Sequence, residues 1–102
     1  MAKNREDLQD VLEQLLRSRN VYFQPPASVK MKYPAIVYTL SNIQNTFADN
    51  SPYVQSNAYQ LTVIDTDPDS EIVKRISSLP LCRFNRHFTS DNLYHDVFTL
   101  FY

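Results

Sequence analysis

A thiol and two imidazoles in the last quarter of the sequence are the residues whose types could do chemistry. Cys82, His87 and His95 could form a thiol nucleophile with its base, or part of a zinc site. In the strand predicted around it, however, Cys82 lies on the same side as Phe84 and Phe88, which is typical of a small buried cysteine. Strict alternation also places Cys82 and His87 on opposite faces of that strand. We therefore predict neither a catalytic site nor a metal site here.

Three alternating acids, Asp65, Asp67 and Asp69, resemble the beginning of a calcium-binding loop. Such a loop also needs a glycine at its sharp turn and a glutamate that closes it, and both are missing at the required spacing. Helix capping explains the acids instead, because Asp67 is well placed as an N-cap with Pro68 in the first helical position. We therefore predict that these acids hold no metal.

The sequence contains no glycine. Phosphate-binding loops need glycine for a close approach of the backbone, so Walker and Rossmann nucleotide sites are excluded. Left-handed turn positions are then expected to fall to Asn and Asp, the next most tolerant residues. No serine-centred motif indicates a catalytic triad, and no paired carboxylates stand out. The chain is therefore predicted not to be an enzyme.

Two small basic patches interrupt a nearly neutral chain. Ten Lys and Arg against eleven Asp and Glu give a net charge of -1, which argues against a dedicated nucleic-acid-binding protein. Lys30, Lys32 and Tyr33 form one patch, which is either solvated surface or a contact for an acidic partner protein or for DNA passing nearby. Arg83 and Arg86 form the other. Arg86 falls on a strand face that is otherwise apolar, where it either pairs with an acid or marks an interface.

The length of 102 residues allows one domain, residues 1–102. The first predicted element is a helix over residues 4–19, with one apolar stripe and Asn20 as its left-handed stop. A second predicted helix begins after Asp67 and ends at Pro80. The remaining periodic segments predict two hairpins of two strands each, over residues 36–47, 54–65, 81–88 and 93–102.

These elements predict an α+β fold of two layers, in which two helices cover a four-stranded, mostly antiparallel sheet in the order α-β-β-α-β-β. A turn near Asn50 pairs Tyr38 with Val63 and Leu40 with Leu61 on one face. Both strand faces carry apolar residues, and two helices cover only one of them. One face, or its ends, is therefore expected to stay available to a partner.

The first predicted hairpin is long for a domain of this size. Its twelve residues from Ile36 to Phe47 span about 40 Å when extended. A compact domain of this length is roughly 33 Å across. The hairpin is therefore predicted to protrude, and because an isolated two-stranded hairpin is only marginally stable, we expect a neighbouring chain to pack on it.

Five segments that together span most of the chain share their pattern with known proteins. They are YPAIVY (33–38), YQLTVIDTDPDS (59–70), LP (79–80), FNRHF (84–88) and DNLYH (91–95). These segments resemble a family of small bacteriophage proteins often labelled minor capsid or tail completion proteins. The family is similar to the tail terminators and tail-to-head joining proteins of long-tailed phages.

The resemblance implies a structural virion protein with an α+β fold. It implies a homo-oligomeric, hexameric ring that ends the tail tube and meets the head connector. The implied partners are further copies of the chain, the tail tube protein and the connector or stopper protein. DNA passes through the lumen without sequence-specific binding, and neither a cofactor nor a membrane is involved. The implied location is the tail–head junction of the virion, and the host cytoplasm before assembly. A head-completion stopper and a small nucleic-acid-binding module are the alternatives.

A ring of identical subunits needs two different surfaces that fit each other. The ends of the two predicted hairpins supply such surfaces, with aromatic side chains as anchors. The predicted interface residues are Phe47, Tyr53, Phe88, Asn92 and Tyr94. Lys30, Lys32 and Tyr33 are then free to contact a different protein or the DNA.

Overall fold

A computed structural model describes residues 5–26, 28–48 and 51–102 of the protein, with the side chains of residues 42–56 outside this description. The helices are α1 (Arg5–Leu16) and α2 (Glu71–Ser77). The strands are β1 (Val21–Phe23), β2 (Ala35–Ala48), β3 (Ser51–Asp65), β4 (Cys82–Ser90) and β5 (Leu93–Phe101).

The strands form one mixed sheet in the order β1-β2-β3-β5-β4. The α+β class with two helices is confirmed, but the predicted four-stranded, mostly antiparallel sheet is not matched, because the sheet has a fifth strand that pairs in parallel. A fifth strand, β1, pairs in parallel with β2 from Val21 opposite Ile36 to Phe23 opposite Tyr38. This strand has only three residues, too few to show an alternating pattern in the sequence.

The two helices cover one face of the sheet and bury the core there. The apolar stripe of α1 is confirmed by the burial of Leu8, Leu12 and Leu16. The sheet residues of this core include Ile36, Tyr38, Tyr59, Leu61, Val63, Phe98 and Leu100. We call the opposite side of the sheet the open face, because neither helix packs on it. Its strand residues alternate with the core residues and include Val37, Thr62 and Val97, of which Val97 is nevertheless buried.

The ends of both helices differ from the prediction. Helix α1 ends at Leu16, not at Arg19, because Arg17 takes a left-handed φ of 60°. Helix α2 is capped by Ser70, whose Oγ accepts a hydrogen bond from the Ile72 backbone N–H at 3.2 Å. The predicted cap, Asp67, instead accepts from the backbone of Asp69 at 2.9 Å in the turn before the helix.

Asp and Asn do occupy left-handed positions in the last hairpin. Asp91 and Asn92, with φ of 53° and 64°, connect the paired residues Ser90 and Leu93. Positive φ at both central positions is what a type I′ hairpin turn requires. The expectation that only Asn and Asp serve such positions is wrong, since Arg17, Gln24 and Leu81 also have positive φ.

The β2–β3 pairing is shifted by two residues from the prediction. Tyr38 pairs with Leu61, and Leu40 pairs with Tyr59. An even shift keeps the same side chains on the core face. A bulge at Ser41 then breaks the register, and its Oγ donates a hydrogen bond to the Ala58 carbonyl at 2.8 Å.

The long first hairpin does protrude beyond the sheet. Strand β5 runs alongside β3 as far as Asn57, which exchanges backbone hydrogen bonds with Tyr102. Residues 44–48 and 51–56, which we call the arm, pair only with each other within the described chain. The molecule is accordingly elongated, with extents of 51 × 26 × 23 Å.

Candidate interaction surfaces

The arm is the first candidate surface. In a two-stranded ribbon, each strand has one edge whose backbone N–H and C=O groups have no neighbouring strand, and such edges readily pair with another chain. Two predicted interface residues, Phe47 and Tyr53, lie on the arm strands. Their side chains are outside the described residues, so their role in an interface stays a prediction.

Strand β4 is the second candidate surface, since it forms one end of the sheet. Every residue from Arg83 to Ser90 is exposed. Two apolar side chains at its beginning are especially accessible, Leu81 at 73% and Phe84 at 52%. The protein therefore presents two different strand edges, the arm and β4.

A bulge at Asn85 changes which side chains of β4 share a face. Phe84 pairs with Phe98, whereas Arg86 pairs with Val97, so Asn85 has no opposite partner. Its Nδ2 donates a hydrogen bond to Thr99 Oγ1 at 2.7 Å. The predicted single face with Cys82, Phe84, Arg86 and Phe88 is therefore wrong, because the residues after the bulge point the other way.

Arg86, Phe88 and His95 form a stack on the open face. The Phe88 ring lies on the His95 imidazole with centroids 4.6 Å apart. The Arg86 guanidinium lies 5.4 Å from the centroid of the Phe88 ring. The position of Arg86 among apolar residues was the only sign of this stack in the sequence.

The helix-covered face carries a different group at the same end of the hairpin. The Asp96 carboxylate accepts a hydrogen bond from His87 Nδ1 at 2.8 Å, and the His87 ring stacks on Tyr94 with centroids 6.0 Å apart. Tyr94 and Phe88, both predicted for the interface, thus lie on opposite faces. The third predicted residue of this end, Asn92, is exposed in the turn between the strands.

The loop that carries Lys30, Lys32 and Tyr33, which we call the lysine loop, lies on the open-face side of the sheet. It is at the edge of the sheet opposite β4. The Lys32 backbone N–H donates to the hydroxyl of Tyr22 at 3.3 Å, and Tyr22 alternates with core residues of β1. The side chains of Lys30, Lys32 and Tyr33 are exposed. This loop and β4 are four strand spacings apart, about 19 Å.

Cys82, His87 and His95 do not come together into one site in the structure. Cys82 and His87 share the helix-covered face after all, because of the bulge between them. The Phe84–Phe98 pair separates them by roughly 13 Å, and His95 points to the other face. Within residues 5–26, 28–48 and 51–102, no three His, Cys, Asp or Glu side chains lie together in a way that could hold a metal ion.

The Cys82 thiol is partly buried, and this burial raises its pKa. A raised pKa leaves less thiolate at neutral pH, and thiolate is the reactive form. We therefore expect native protein at pH 7.5 to react with iodoacetamide at least about tenfold more slowly than the same protein unfolded in denaturant. A native thiol that reacts faster than the unfolded one would indicate an activated nucleophile and contradict this assignment.

In the described chain, neither helix has the length and apolar character needed to cross a bilayer. Comparison with protein-family models gives no match. Comparison with curated proteins gives no match either.

Proposed function

We propose that the protein is a structural subunit of a long-tailed bacteriophage that assembles into a hexameric ring at the head-proximal end of the tail. The ring caps the tail tube and joins it to the head connector. The observation that carries this proposal is the arm, a two-stranded ribbon that projects from a small domain without support from a third strand in the described chain. The resemblance of five sequence segments to tail completion proteins supports this class of assembly.

The geometry supports a ring made from one kind of chain. A closed ring needs a heterologous interface, in which one surface of a subunit meets a different surface of the next. The arm and the exposed strand β4 are such a pair of unlike surfaces on one domain. An isolated ribbon is marginally stable in water, so packing against a neighbour supplies what the arm lacks.

The lysine loop supports a contact with a further partner. Its exposed Lys30 and Lys32 side chains lie away from both the arm and β4. Exposed lysines attract acidic protein surfaces and phosphate groups alike. In the proposed ring this loop contacts the acidic surface of a tail or connector protein, or the DNA in the lumen.

The mass of the purified protein in solution tests the proposal. Size-exclusion chromatography with light scattering should give six times the chain mass of 11.9 kDa, about 71 kDa, in a species that dissociates on dilution. A mass of one chain at every accessible concentration would overturn the proposal.

A nucleic-acid-binding module is the second candidate, because Lys30, Lys32, Arg83 and Arg86 all lie on the open-face side. Recognition of single strands also needs exposed aromatic rings on the central strands. Strand β3, at the centre of the sheet, instead presents Gln60, Thr62 and Ile64 on this face, because they alternate with its core residues. Salt-dependent DNA binding by the monomer, without rings, would favour this second candidate.

A further inference from the structure

The carboxylates of the described helices and strands lie on the helix side of the sheet. Eight of the eleven carboxylates belong to α1 or to the segment from Asp65 to Glu71. The two carboxylates on described strands, Asp65 and Asp96, pair opposite Tyr94 and Val63 on the helix-covered face. The open face of the strands therefore carries no carboxylate among the described residues, whereas Arg83 and Arg86 lie on it, opposite Thr99 and Val97.

The two arginines are exposed and hold no counter-ion within the described chain. The salt bridges there join Lys74 to Glu71 and His87 to Asp96, and neither involves Arg83 or Arg86. Arg86 is nevertheless held in place, because its guanidinium rests on the Phe88 ring. An ordered, exposed and unpaired cation is well suited to meet an anion on another molecule, since less side-chain entropy is lost on contact.

The helix layer of the same chain carries matching anions. Asp7 and Asp10 are exposed and lie three residues apart on α1, so they project from the same side of the helix. Neither makes a salt bridge with a described residue. The sheet lies between these carboxylates and the arginines of the same chain, so a contact between the two groups needs a second molecule.

We infer that the open face of β4 and β5 docks the helix layer of a second copy of this chain, with Arg83 and Arg86 against Asp7 and Asp10. One contact of this kind accounts for both unpaired surfaces, whereas a nucleic acid would account for the arginines alone. The contact is heterologous, since one subunit offers its open face and the next its helices. It rests on the proposed function and specifies which charges join neighbouring subunits in the ring.

Charge reversal tests this contact. Arg83→Glu with Arg86→Glu, or Asp7→Lys with Asp10→Lys, should each raise the concentration needed for assembly at least about tenfold, because like charges then face each other. Mixing the two variants should restore assembly, since each reversed surface then meets a reversed partner. The control is Lys30→Glu with Lys32→Glu, which changes the net charge as the β4 variant does but lies at the opposite end of the sheet, about 19 Å from β4. It should assemble like the unmodified protein.

The outcomes separate the inference from the proposed function. Normal assembly of either reversed variant alone, or failure of the mixture to assemble when both variants are folded by circular dichroism, would overturn the inference while the ring stands. Rings that persist while the β4 variant loses binding to duplex DNA would also overturn it and assign the arginines to nucleic acid. Open chains of subunits in place of closed rings, with assembly again restored by mixing the two variants, would support the contact but overturn the proposed ring. A protein that stays monomeric throughout would overturn both.

Discussion

Replacing the arm with a two-residue turn should leave a folded monomer that no longer forms rings. Gln44 and Ser56 are the first paired residues of the arm, so an Asn-Gly turn can join them directly as a type I′ hairpin and keep Asn57 with its hydrogen bonds to Tyr102. The arm contributes no strand pairing to the rest of the described sheet. We therefore expect the melting temperature to fall by only a few degrees, within about 1 kcal/mol of stability, while light scattering detects a single chain.

A second turn replacement serves as the matched control for the arm deletion. Changing Asp91-Asn92 to Asn-Gly keeps a type I′ turn, because both native residues already have positive φ. This variant should assemble normally. Rings formed by the armless protein at the usual concentration would show that the arm is not part of the subunit interface.

Phe98→Ala should have the largest effect on the free energy of unfolding. The Phe98 ring is fully buried at the centre of the core, where β5 lies between β3 and β4. Truncation of a buried aromatic residue costs about 3–5 kcal/mol, a large share of the roughly 5–15 kcal/mol that holds a domain together. Urea denaturation of the monomer should show this loss, and rings should disappear as the folded subunit is depleted.

Phe84→Ala is the control for this core substitution. Its ring contacts Phe98 edge-on with centroids 5.5 Å apart, but it is 52% exposed. We expect a loss of at most about 1.5 kcal/mol, from the ring contact and the partial burial. A loss equal to that of Phe98→Ala would contradict the exposed position of β4 in the subunit.

The sequence predicts those parts of the fold that depend on a regular apolar period. The stripe of α1 and the alternation within β3 and β5 place Leu12, Leu61 and Phe98 on the covered face, and the structure buries them. The length of the first hairpin likewise predicts the arm, because the reach of a strand depends only on its number of residues.

The bulges at Ser41 and Asn85 could not be predicted, and the one at Asn85 determines which side chains of β4 lie on each face. A bulge is often marked by glycine, and this chain has none. Ser41 and Asn85 are extra residues only with respect to their partner strands, a relation that local sequence does not contain. Beyond Asn85 every side chain of β4 therefore lies on the face opposite to the predicted one. This reversal moves Arg86 onto the open face, where it stacks on Phe88.

Electron microscopy of the purified protein, alone and mixed with phage tail tubes, tests whether the subunits form a ring that caps the tube. We expect closed rings of six subunits, each arm lying against the next subunit, and one such ring at a single end of each tube. Fields of separate monomers, or protein bound along DNA without rings and without attachment to tube ends, would contradict this expectation.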